Sequence, residues 1–441
     1  MTATVANIYL LSLGCAKNLV DSELMSGIIR LQGWQLTDDP RQAQVIIINT
    51  CGFIKPAKEE SIAAILDAAS YKEQGSCQLL IVVGCLVEKY RDELTQEIPE
   101  IDLFLGTHEY HSIGQLIADY LKQAAKSLPA NNYLLRELAP TSATAYLKIA
   151  EGCNNRCSYC LIPQLRGQLV SRPETEIIEE ARQLLERGIK ELVIIAQDTT
   201  AYGKDIDGKP HLPELLEQLA SLPFAWLRLL YVYPDEINQR LLEVMSAHDN
   251  ICHYLDIPLQ HADDQILKSM NRRSNQQQIR EKITMIRRYL PDVALRTTMM
   301  VGFPGEQEQH FRHLLCFVKD TRFDWLGAFS YSREEDTVAA QLPHQVREAT
   351  KQRRLKQLME LSADISTGIQ SSYIGRQLQV LCEETAEEEF GDGWYKGRSS
   401  FQAPEVDGQV YFQSKTPISA GDFVSVKITA ADTYDLIGEL L

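Results

Sequence analysis

Long apolar runs are missing from this sequence. The longest, such as Val45–Ile48 and Leu79–Val83, extend only a few residues, whereas a bilayer-spanning helix needs about 20. No transmembrane segment is therefore expected. Met1–Asn7 lacks a basic stretch ahead of an apolar core, so no secretory signal is expected and the protein is read as cytoplasmic. Positive charge is also scarce: 44 Lys and Arg stand against 60 Asp and Glu, a net charge of −16. Nucleic-acid binders usually carry a basic domain or stripe. Nucleic acid is thus not expected as the direct substrate, and a basic protein partner fits better. The chain has no internal repeat and no low-complexity tract. With 44% hydrophobic and 24% charged residues it is not a disordered chain. Its 441 residues suggest about three domains and allow large cores without disulfide staples.

Cysteine, by contrast, is plentiful. There are ten, many for a reducing compartment, where metal binding or catalysis is the better expectation than disulfides. Cys153, Cys157 and Cys160 fall within eight residues. Cys15, Cys51 and Cys85 each follow a strand-like run. Cys77, Cys252, Cys316 and Cys382 have no motif around them and are read as packing residues.

Hydrophobic patterning divides the chain into three textures. Ile8–Leu13, Val45–Asn49 and Leu79–Val83 read as strands alternating with helical Asp21–Gln32, Ser61–Ala69 and Val87–Glu93, which predicts a parallel sheet with helices on its faces. Pro129–Ser142 reads as a linker. A second βα series follows, with strands at Tyr146–Ala150, Leu192–Ala196, Leu227–Val232, Tyr254–Leu259, Leu295–Val301 and Leu326–Tyr331, and a closing helix at Gln345–Gly368. Six such units predict a (β/α)6 partial barrel. From Ser372 onward, short strands at Gln377–Cys382, Val410–Phe412 and Phe423–Ile428, with turns at Gly393–Gly397 and Gly421–Asp422, predict a small all-β barrel. The expected domains are 1–135, 142–370 and 372–441.

Cys153, Cys157 and Cys160 have the spacing C-x3-C-x2-C, directly after the first predicted barrel strand. Zinc ribbons close four ligands, and no His or fourth Cys lies nearby. Three thiolates can hold three irons of a four-iron cluster and leave the fourth open to a ligand, whereas electron carriers usually cap every iron. The text Glu151-Gly-Cys-Asn-Asn-Arg-Cys-Ser-Tyr-Cys160 resembles the radical S-adenosylmethionine superfamily, including the aromatic Tyr159 before the last cysteine. The resemblance implies that the open iron binds the methionine moiety of S-adenosylmethionine. An electron then cleaves the sulfonium, and the 5′-deoxyadenosyl radical formed removes a hydrogen atom from an unactivated carbon. Residues expected at this cofactor are Tyr159, Gln197 with its neighbour Asp198, Arg228, Arg296, and Gly302, where a missing side chain would let backbone approach the nucleoside. Arg228 and Arg296 can equally be salt-bridged barrel residues, and Gly302 a turn.

Cys15, Cys51 and Cys85 each sit at the C-terminal end of a predicted parallel strand. Such ends share one edge, where ligands bind. Three thiols at that edge suggest a second cluster with an open iron; buried structural cysteines are the alternative. The order of three-cysteine domain, radical barrel and small β-barrel resembles the radical S-adenosylmethionine methylthiotransferases along essentially the whole chain, and the last module resembles a TRAM domain. Ser12-Leu-Gly-Cys-Ala-Lys-Asn-Leu-Val-Asp-Ser-Glu23 and the run from Glu151 to Gly167 look like the branch that modifies a ribosomal protein. The tRNA-modifying branch typically has Gly-Cys-Gln-Met-Asn where this chain has Gly14-Cys-Ala-Lys-Asn18. The resemblance implies two [4Fe-4S] clusters held by the six cysteines. It also implies S-adenosylmethionine as both methyl donor and radical source, and an electron donor such as flavodoxin or ferredoxin. The substrate it implies is the small-subunit ribosomal protein S twelve, methylthiolated at the β-carbon of an aspartate. No catalytic residue is singled out. The same chemistry on a tRNA adenosine, and more distantly a non-enzymatic iron–sulfur electron-transfer protein, remain alternatives at this point. Residues 372–441 hold five basic against twelve acidic residues, opposite in sign to an RNA-binding barrel and complementary to a basic ribosomal protein.

Overall fold

The computed structural model describes residues 5–139 and 142–441. The chain divides into two compact units. One comprises Met1–Ala139, Ala150–Asn155 and Cys160–Glu180; the other comprises Pro140–Ile149, Arg156–Tyr159 and Ala181–Leu441.

The first unit is built on five parallel strands. In spatial order they are Gln35–Leu36, Asn7–Ser12, Val45–Thr50, Leu79–Gly84 and Leu103–Leu105. Val45–Thr50 and Leu79–Gly84 are buried at every position, as expected for central strands covered on both faces. Successive side chains alternate faces. Val45, Ile47, Leu79, Ile81 and Val83 pack on one side with Leu24, Met25, Ile28 and Ile113, while Ile46, Ile48, Leu80 and Val82 pack on the other with Ile65, Leu86 and Leu94. The expected linker is only partly one. Asn132–Leu135 is a 3-10 turn, and Arg136 beyond it is fully buried, with ion pairs to Glu23 and Glu180. A cation this deep needs both carboxylates, so the segment is fastened to its unit. Pro140 and Thr141 lie outside the described residues.

The second unit holds six parallel strands in chain order: Thr144–Lys148, Glu191–Ile195, Trp226–Leu229, Ile251–Asp256, Ala294–Val301 and Trp325–Ser330. Helices between them make the (β/α)6 partial barrel, and the long helix Glu348–Ser371 follows. Gln377–Thr385, Trp394–Ser399, Val410–Gln413, Leu436–Leu440 and Phe423–Ala431 then close a five-stranded barrel around Val380, Phe412, Val426 and Ile428. Two of these strands were not expected from the sequence. The glycines of Gly393–Gly397 suggested a turn, but the segment is mostly strand, paired with Val410–Gln413.

Glu191 joins the two barrels. It is fully buried and accepts from Arg228 Nε at 2.7 Å, Arg398 Nη2 at 2.6 Å and Thr144 Oγ1 at 3.0 Å. Burial opposes its ionisation, but the two guanidiniums prevail and hold its carboxyl down at about 2. Replacing Glu191 by Gln would leave two buried cations under-compensated, and we expect a loss of about 3–5 kcal/mol in urea unfolding. The sign with pH follows from the depressed value. The stabilisation is complete above 4.5, the ordinary value, and drains away as pH falls toward 2. Glu191→Gln should flatten this stretch of the acid-unfolding profile; an unchanged profile would show that the pair contributes nothing.

Candidate functional site

Cys15, Cys51 and Cys85 come directly off three neighbouring strands. Ser12 lies in register with Asn49, and Thr50 with Gly84. The chain therefore leaves all three strands at one edge, with strands about 4.8 Å apart. Gly14, at φ +96°, turns the first loop down onto the second; a Cβ there would stand 2.8 Å from Cys51 Cβ and 3.2 Å from its Sγ. Cys15 is the N-cap of the helix Ala16–Gln32, and Cys85 begins the helix Cys85–Glu97. Helix N-termini favour thiolates.

The electrostatics of the three thiols differ. The surrounding protein opposes ionisation of Cys15, but the charges of Lys17 and Arg166 and the backbone N–H groups of Asn18 and Lys17 outweigh it, and its pKa falls below the ordinary thiol value. Burial pushes Cys51 up to about 11, with the neighbouring Cys85 and Cys15 adding to the rise. Burial also raises Cys85, against the opposing charge of Arg166. Among the described residues, no three His, Cys, Asp or Glu side chains converge on one ion. Thiols gripping separate corners of a cluster do not need to.

Polar side chains from distant parts of the sequence hold this edge together. The Asn18 amide donates to the carbonyls of Leu13 at 2.8 Å and Thr50 at 3.0 Å, just ahead of Cys15 and Cys51. Asn49 in turn donates to the Asn18 carbonyl and to Ser22, both at 2.9 Å. Arg166, only 2% exposed, reaches the third thiol: its Nε lies 3.3 Å from Cys85 Sγ. The same guanidinium pairs with Asp21 at 2.8 Å and Glu151 at 3.1 Å and donates to Asn18 Oδ1. None of these roles was assigned from sequence. The available signal was spacing: Cys15, Asn18 and Asp21 recur every three residues and share one helix face.

Cys153, Cys157 and Cys160 lie on one loop after the strand Thr144–Lys148. The Cys153 N–H donates to Gly167 C=O at 3.1 Å, and Ala150–Glu151 pairs with Val170–Ser171, closing the loop at its base. The Ile162 N–H approaches Cys160 Sγ at 3.4 Å. Arg272, also missed from sequence, points Nη1 at Cys157 Sγ at 3.8 Å while donating to Pro258 C=O at 2.8 Å and stacking over Tyr233.

The residues expected at S-adenosylmethionine separate into two groups. Tyr159 packs edge-on against Phe303, just beyond the fifth barrel strand. Gln197 follows the second strand, whose Ile195 is level with Lys148, at the edge from which the cysteine loop departs. Arg228 and Arg296 are placed otherwise. Arg228 is fully buried against Glu191, the first residue of its strand, and the Ser400 carbonyl at 2.8 Å. Arg296 pairs with Asp256 at 2.9 Å and Asp407 at 3.3 Å, and its register partner Trp325 opens the sixth strand. Both cations are held by buried carboxylates and by residues of the last barrel. Gly302 has φ +74°, but a Cβ there would meet Lys351 Cγ at 2.3 Å; the room it leaves is taken by the long helix. Cys77, Cys252 and Cys382 are buried as expected, whereas Cys316 is exposed on the helix Glu308–Thr321. The acidic excess of residues 372–441 is partly compensated: Glu383 pairs with Arg398, and Glu384 and Glu389 pair with Lys396.

Comparison with known proteins agrees with this organisation. Residues 7–106 match the family described as uncharacterized protein family UPF0004, 147–318 the radical SAM superfamily and 374–441 the TRAM domain. The fold resembles the solved structure of TsrM, a radical S-adenosylmethionine methyltransferase from Kitasatospora setae (TM-score 0.57, 12% identity, 74% of this chain and 72% of that one). It also resembles the cobalamin-dependent radical enzyme OxsB (TM-score 0.52, 12% identity, 82% and 58%). Much nearer in sequence are proteins named ribosomal protein uS12 methylthiotransferase RimO. The one from Geotalea uraniireducens is 47% identical over 100% of this chain and 99% of its own length. The one from Clostridioides difficile is 47% identical over 98% of each. Such relatives, together with the radical SAM match, make the chain a radical S-adenosylmethionine methylthiotransferase. It belongs to the RimO family.

Proposed function

We propose that the chain inserts a methylthio group at the β-carbon of an aspartate in ribosomal protein uS12. The observation that carries this reading is the whole-length kinship at 47% identity, and the three cysteines at neighbouring strand ends support it. Cys153, Cys157 and Cys160 hold one [4Fe-4S] cluster, and Cys15, Cys51 and Cys85 hold a second; each set supplies three thiolates, which suits a cluster with an open iron. When bound, the group on Cys153, Cys157 and Cys160 would supply the reducing electron for S-adenosylmethionine cleavage, and the group on Cys15, Cys51 and Cys85 would supply a site for the sulfur to be transferred. The protein's own part is to hold and orient. Tyr159 anchors the cysteine loop on Phe303, Gln197 offers a polar group at the same strand edge, and Arg272 donates toward Cys157. Asn18 and Arg166 fix the N-terminal edge. An electron donor such as flavodoxin or ferredoxin is a required partner, and the site of action is the cytoplasm. The test is mass spectrometry of ribosomal proteins and tRNA from cells with and without the gene. Loss of the methylthio mass from a uS12 aspartate is expected; loss from tRNA alone, with uS12 unchanged, would overturn the substrate.

A further inference from the structure

Of the charged side chains around the N-terminal thiols, one is remote in sequence. Arg166 follows Cys160 by six residues and lies 81 positions from Cys85. It is the fixed cation bonded to one of these sulfurs: 2% exposed, its Nε donating to Cys85 Sγ, and acting electrostatically on Cys15 together with Lys17. Its position leaves it little freedom. Asp21 and Glu151 take one arm, Asn18 takes the other, and Asn18 in turn holds the backbone ahead of Cys15 and Cys51. One guanidinium is thereby linked to all three thiol-bearing loops.

We propose that Arg166 is a positioning residue that sets the reduction potential of the group held by Cys15, Cys51 and Cys85, through its N–H···S bond to Cys85 and its buried charge. The inference rests on the reading that these cysteines hold an iron–sulfur cluster. Adding an electron to a thiolate-bound cluster increases its negative charge, and both a fixed cation and a hydrogen bond to sulfur stabilise that state; such bonds are an established lever on cluster potentials. Asp21 acts oppositely, because its carboxylate offsets part of the cation's field. Arg166 and Asp21 therefore form a signed pair. A side chain that merely fastened the loop would show no such sign.

The experiment uses the full chain with Cys153, Cys157 and Cys160 changed to Ala, reconstituted anaerobically, so that only the N-terminal group is read. Potentiometric titration followed by electron paramagnetic resonance gives its midpoint. At the parent's midpoint, Arg166→Gln should lower the reduced-to-oxidised ratio at least tenfold, equivalent to 59 mV for one electron. Arg166→Lys, which keeps charge but loses the fork, should fall between. The near-isosteric Asp21→Asn should raise the ratio. If Arg166→Gln fails to retain iron, the Lys and Asp21 variants decide. Unchanged midpoints, or shifts of one sign in Arg166→Gln and Asp21→Asn, would overturn the role of Arg166. A parent that binds no iron would instead overturn the ligand assignment on which it stands.

Discussion

Changing Cys153, Cys157 and Cys160 together to Ala is expected to remove about half of the iron that the reconstituted protein binds and to reduce S-adenosylmethionine cleavage to the no-enzyme background. The iron loss follows from stoichiometry: two three-cysteine sets holding about four irons each give about eight, and one set is removed. The loss of cleavage follows from position, because this loop leaves the first barrel strand at the edge shared with Gln197, where barrel enzymes build their sites. The N-terminal edge is expected to survive, since Asn18 bonds to Leu13 and Thr50, Asn49 to Asn18 and Ser22, and Arg166 to Cys85 without any of the three replaced side chains. Iron content and 5′-deoxyadenosine formation are the two readouts. Full iron retention in the variant would mean that the loop holds no cluster.

The second large effect divides the reaction. Changing Cys15, Cys51 and Cys85 to Ala should abolish methylthiolation while 5′-deoxyadenosine formation continues at a comparable rate. These three thiols come off a separate five-stranded sheet, and Arg272, which points at Cys157, also contacts Pro258 and Tyr233. If cleavage disappears while the remaining cluster keeps its normal spectrum, the two sets do not act independently.

The parts of this account legible in the sequence are those written by local rules. Buried β-branched runs such as Val45–Thr50 identify themselves, and a cysteine just past each run needs only the shared-edge property of parallel sheets to be placed. The C-x3-C-x2-C spacing is similarly local. What escaped depends on long-range pairing. Arg228 and Arg296 are polar residues on barrel strands and so suggested a ligand, but buried carboxylates take them up, and their partners Glu191 and Asp407 are 37 and 111 residues away. The space beside Gly302 is filled by Lys351 from a helix that no local pattern connects to it. Arg166 was visible only as one letter of a motif; its role required the fold to bring it to Cys85. Arg136 sat in a stretch whose proline and asparagine content resembled a linker, and only its two carboxylate partners show otherwise.

The central claim is that two cysteine sets on one chain methylthiolate a ribosomal protein. It is tested most directly by incubating the anaerobically reconstituted enzyme with S-adenosylmethionine, a reductant, sulfide and purified uS12, in parallel with bulk tRNA, and analysing both by tandem mass spectrometry. The account predicts a methylthio group on one aspartate of uS12, formed with 5′-deoxyadenosine, and none on tRNA. Methylthiolated adenosine in the tRNA with unmodified uS12 would contradict it.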